Sequence, residues 1–100
     1  SKAAWPVGPK VPDQLEVEPV TFESPSPYFQ PHALVCPHGR VFLADRFRVF
    51  EILDYDRPPL PYNCDVNGTI ADIAATCQGD RCWPVVLLHG SPPRVFDCST

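Results

Sequence analysis

The stretch CQGDRCW sets Cys77 and Cys82 four polar residues apart and closes on Trp83. Cysteines at such a spacing can form a structural disulfide, half of a metal site, or a thiol redox pair. Redox catalysis is disfavoured, because the two-residue spacing and the helix start that serve it are both missing. A zinc site needs a second tight ligand pair. Cys36 with His38, or His89 with Cys98, would have to supply it at irregular distances, so neither metal nor any other cofactor is expected. A staple needs only two facing strands, with QGDR as a four-residue loop and Gly79 and Asp80 at its tip. Facing hairpin positions bring Cα atoms into the roughly 4.4–6.8 Å range a bridge requires.

Cys36, Cys64, Cys77, Cys82 and Cys98 make five cysteines in 100 residues. That density in so short a chain points to an oxidising compartment and a secreted or extracellular protein. The odd count leaves one thiol over, buried, free or paired with another chain. Five choices of the odd cysteine and three pairings of the rest give about fifteen arrangements, among which sequence does not choose.

A second set of residues suits acid–base work on a phosphodiester. His38 or His89 serves as acid and Glu51 as base, with Arg40, Arg48 or Arg81 holding the phosphate. In the order of its elements the chain loosely resembles small microbial ribonucleases, although no motif matches residue for residue. The resemblance implies a small hydrolase, or an effector on that scaffold, working through His38, Glu51, Arg40 and His89. The plain reading is that these are surface turn histidines and solvated arginines, and no catalytic residue is assigned. Asn67-Gly68-Thr69 is an N-glycosylation sequon in a turn, with Asn67 as acceptor.

The bulk properties narrow the partners. Net charge is −4 and pI about 5.1, against the basic face that a nucleic-acid binder needs. No apolar run approaches the roughly 18 residues that span a bilayer. Hydrophobic residues are 44%, enough for a modest core that gains from covalent staples. The chain opens on SKAAW without Met and so reads as a mature or trimmed piece.

The elements that must position these residues read as two regions. Residues 1–31 carry seven of the fourteen prolines and no cysteine, and form an extended Pro-rich arm lying along the domain. Pro6, Pro9 and Pro12 keep the three-residue period of polyproline II. LEVEPVTFE, with a proline inside it, suits an edge strand. Residues 32–100 form a disulfide-stapled β-rich domain. ALVCPHGRVFLADRFRVFEIL reads as strand, turn, strand, turn, strand, with PHGR as the first turn. The alternation slips at Phe50, which predicts a bulge. CWPVVLLHG is the clearest strand, and RVFDC is a final short one with Val95 opposite Phe96 and Cys98. Trp83, Phe42, Phe47 and Phe96 are assigned to the core.

The expected fold is a small antiparallel sheet or sandwich, mainly β, with Pro-rich loops. The alternative is a small α+β fold with one helix over Leu43–Asp54 or over Ile70–Cys77, where Ile70, Ile73, Ala74 and Cys77 fit helical spacing. The expected function is a secreted, non-catalytic binding module that docks a protein partner, linked to it covalently or not through the odd cysteine. Trp5, Tyr28, Phe29, Tyr55 and Tyr62, set among prolines, are the expected contacts, since rigid aromatic loops lose little entropy on binding. A structural piece of a larger ectodomain is a third reading.

Overall fold

The computed structural model describes residue 19 and residues 21–99. Trp5, the Pro6–Pro12 repeat and most of LEVEPVTFE lie outside them. Seven strands follow in order: β1 Ala33–Val35, β2 Val41–Ala44, β3 Val49–Ile52, β4 Leu60–Pro61, β5 Ile70–Gln78, β6 Arg81–Leu88 and β7 Arg94–Asp97. A single 3-10 turn, Pro37–Gly39, joins β1 to β2. The strands form two antiparallel sheets, β1-β2-β3-β4 and β5-β6-β7. The protein is mainly β, and neither segment weighed as a helix is one.

The apparent slip at Phe50 has a different cause from a bulge. β2 and β3 pair in unbroken register, Val41 with Ile52 through Ala44 with Val49. Both faces of this hairpin are covered, so apolar residues fall on both parities. Phe42, Ala44 and Val49 face the second sheet and join Ile70, Ile73, Val86 and Leu88 in one cluster. Leu43, Phe50 and Ile52 face the other way, beside Val41 of the same face and against Phe22 and Phe29. Phe29 meets Phe50 edge to face at 4.8 Å. Phe47, expected in the core, is 63% exposed. It sits in the turn, where the Asp45 carboxylate accepts the Phe47 and Arg48 amides at 2.8 and 2.7 Å and so closes the hairpin in the manner of an Asx turn.

The bulge lies in β5 instead, between Ile70 and Asp72. It lets Ile70 and Ile73 both point inward although they are three apart. That is why the segment mimics helical spacing while running as a strand. Pro84 sits in β6, the central strand, where a missing amide would ordinarily break a ladder. Its carbonyl accepts the Cys98 amide at 3.0 Å, so this residue's polar groups point toward β7 and the β5–β6 ladder loses nothing. The loop between β5 and β6 is two residues rather than four: Gln78 pairs with Arg81, leaving Gly79 and Asp80. Gly79 has φ 63°, a conformation that glycine adopts without steric penalty at this place in primed hairpin turns.

Two disulfides staple the fold. Cys77–Cys82 closes the β5–β6 hairpin with a Cα separation of 4.0 Å, just under the usual range. Cys64–Cys98 ties the loop after β4 to the end of β7 across a Cα separation of 5.3 Å. Cys36 is the odd cysteine, free and exposed. No helix among the described residues is long and apolar enough to cross a membrane.

Candidate functional site

The Pro37–Gly39 turn swings back over the end of the β5–β6 hairpin. His38 occupies the left-handed region, φ 49° and ψ 40°, which non-glycine residues adopt sparingly. One of its ring nitrogens and the sulfurs of Cys77 and Cys82 all lie within 4.8 Å of one another. Arg40, just past the turn, locks this arrangement. Its Nη1 donates to the Cys82 carbonyl at 2.7 Å. That carbonyl points away from β5 at a level where β7 has already ended. Nε and Nη2 of Arg40 donate to the two Glu51 oxygens at 2.9 and 3.0 Å, a bidentate pair. The guanidinium also lies 4.7 Å from the Phe42 ring centroid. The hydrogen bonding that Arg40 donates to Glu51 raises the Arg40 pKa above its ordinary value, against a smaller opposing effect of burial. Glu51 is thereby engaged with Arg40, and nothing on the described surface offers it as a free base.

The four residues drawn together by the hydrolase reading do not form one site. His38, Arg40 and Glu51 are neighbours at the Cys82 end of β6. His89 follows the far end of the same strand, roughly 20 Å away at the usual strand rise. There it lines a cleft of about 410 Å³ with His32, Arg46, Gln30 and Thr69. The backbone builds the cleft: the Ile70 amide donates to the Arg46 carbonyl at 2.7 Å, and the His89 amide to the Thr69 carbonyl at 2.8 Å. His32 and Arg46 were missed by sequence reasoning. Only the packing of β5 against the first sheet brings them to His89, and no local pattern signals that. Arg48 and Arg81 each lie over an aromatic ring instead, Phe50 at 5.0 Å and Trp83 at 5.4 Å.

Among the aromatics expected to meet a partner, Tyr28 is 87% and Tyr55 49% exposed. Phe29 packs on Phe50, and Tyr62 packs edge to face on Phe42 at 5.3 Å. Trp5 lies outside the described residues. Five aliphatic side chains join the exposed set: Leu53, Leu60 and Leu34 at 68%, 51% and 57%, and Leu87 and Val95 on the second sheet at 39% and 70%. Leu53 and Leu60 flank a cleft with Asp54, Arg57 and Pro58. Asn67 is exposed. Its carbonyl accepts Arg94 Nη2 at 3.1 Å, and a Cβ on the neighbouring Gly68 would meet that nitrogen and Leu88 Cδ1 at 3.3 Å.

The chain is thus a two-sheet β domain with a disulfide-closed hairpin, one free exposed thiol and an apolar rim on the β3–β4 loop. Comparison with family models, curated proteins and solved structures gave no match.

Proposed function

We propose that this protein is a secreted, disulfide-stapled binding module that docks another protein through the β3–β4 loop. The observation that carries this reading is the exposure of Leu53 and Leu60 beside a cleft bearing Asp54 and Arg57, with Tyr55 also exposed on the same loop. Large apolar side chains left in water on a proline-braced loop, with a polar rim, are the make-up of a recognition patch. Tyr28 extends the exposed aromatic set. The two disulfides support an oxidising compartment, and the exposed Asn67 sequon suits glycan attachment there. Cys36, exposed and unpaired, is the group through which a covalent link to the partner would form.

The test is crosslinking of the tagged protein in the medium into which it is secreted, followed by mass spectrometry under reducing and non-reducing conditions. A stoichiometric partner is expected, and Leu53→Asp with Leu60→Asp should abolish its recovery while the circular dichroism spectrum is unchanged. Recovery undiminished in that double variant sinks the proposed surface.

A hydrolase is the second reading, and the cleft that gathers His32, His89 and Arg46 favours it. Two imidazoles beside a guanidinium suit proton transfer around a phosphodiester. RNA cleavage by purified protein, lost in His32→Ala and in His89→Ala, would replace the docking reading with this one.

A further inference from the structure

We propose that Cys77, Cys82 and His38 form a redox-gated cation site: a closed disulfide when oxidised, a three-donor site for Zn²⁺ when reduced. The proposal stands apart from the docking reading and uses none of its residues.

Three observations converge on it. Two sulfurs and one imidazole nitrogen already lie within 4.8 Å of one another. Zinc bonds of about 2.3 Å to sulfur and 2.0–2.1 Å to nitrogen put tetrahedral ligands roughly 3.4–3.8 Å apart, so small side-chain rotations suffice once the sulfurs separate. The imidazole is also held there at a conformational cost: His38 is left-handed at φ 49°, a state that persists only where its surroundings enforce it. What enforces it is the Arg40 bridge from the turn to the Cys82 carbonyl and to Glu51. Moreover, the strand pairing sets Cys77 directly opposite Cys82 beside the two-residue turn, so the hairpin ladder keeps the sulfurs adjacent after the S–S bond opens.

The chemistry balances. A dithiol reductant transfers two electrons and two protons, becomes a disulfide itself, and leaves Cys77 and Cys82 as thiols. Zn²⁺ then displaces both protons to solvent, and two thiolates neutralise the dication. Neutral His38 is the third ligand and water the fourth, the three-ligand pattern that leaves one position open.

The experiment reduces the full chain with a phosphine, which takes oxygen from water and leaves both protons on the sulfurs. The phosphine is removed without oxygen, and Co²⁺ is titrated as a spectroscopic probe, then Zn²⁺. One cation per reduced chain is expected, with a thiolate-to-cobalt charge-transfer band, and none at this site in the oxidised chain. Zn²⁺ should slow alkylation of Cys77 and Cys82 by about tenfold or more, leaving Cys36, and Cys64 freed by the same reduction, reactive as internal controls. His38→Ala should weaken binding by about tenfold or more, in line with losses seen for groups that only support a ligand. Cys36→Ser should leave binding unchanged. If the reduced chain loses its near-ultraviolet dichroism, Zn²⁺ should restore it in the wild type and not in His38→Ala. Equal protection in His38→Ala, dependence on Cys36, equal binding by the oxidised chain, or protection of neither cysteine would overturn the proposal.

Discussion

Arg40 gives two nitrogens to Glu51 and a third to the Cys82 carbonyl. It ties the first sheet to the hairpin of the second through one side chain. Its side chain is 36% and that of Glu51 12% exposed, so solvent screening tempers the charge attraction. The Cys82 carbonyl and the aligned Arg40 are what Glu51 holds in place. Glu51→Gln is therefore expected to lower stability by about 1–2 kcal/mol, read from urea midpoints. The sign of the pH effect follows from the raised Arg40 pKa. A group whose folded pKa is raised contributes fully below its unfolded value, which for arginine lies far above neutrality, and loses that contribution only as pH climbs through the folded one. The Arg40 contribution is thus constant across pH 7 to 9. The gap between wild type and Glu51→Gln should not narrow over that interval, and urea titrations at both ends check it.

At the scale of single elements, the β5–β6 hairpin shows how local rules combine. Its two-residue turn asks for a positive φ, and Gly79 supplies it. A Cβ built on Gly79 would have nothing within 4 Å. The penalty for Gly79→Ala is therefore conformational alone, about 1–2 kcal/mol, and thermal unfolding should show it without any change in the folded spectrum. The bulge at the other end of β5 has the opposite relation to sequence. It turns a three-residue spacing of Ile70 and Ile73 into a shared inward face, and a pattern scan scores that as helix. β3 carries the same lesson in another form: Val49 and Phe50 are consecutive and both buried, because each face of their sheet has its own cover.

At the scale of the whole molecule, the two staples have unequal weight. Cys64–Cys98 spans 34 residues and Cys77–Cys82 spans 5. The loop-entropy argument assigns about 3–4 kcal/mol to the longer loop and about 2 kcal/mol to the shorter. Against a total of about 5–15 kcal/mol for a native domain, loss of the longer one is serious. The Cys64→Ala, Cys98→Ala double variant is expected to lose at least that amount, because Cys98 is also 1% exposed and packed. The Cys77→Ala, Cys82→Ala pair should lose roughly 2 kcal/mol. Denaturant titrations of both variants measure the ranking, and a larger loss from the hairpin pair would contradict it.

What the sequence alone determined is what neighbouring residues decide between them. The unbroken apolar run in CWPVVLL, the glycine at the hairpin tip, and two cysteines facing across it all act within a few residues, so β class and hairpin could be read directly. Which cysteine stays free, which partner Cys98 takes, that His38 reaches the hairpin sulfurs, and that His32 and Arg46 gather beside His89 were decided only by tertiary structure. Each depends on two sheets closing on a shared core, and that closure is set by summed burial over distant segments, a quantity no local spacing encodes.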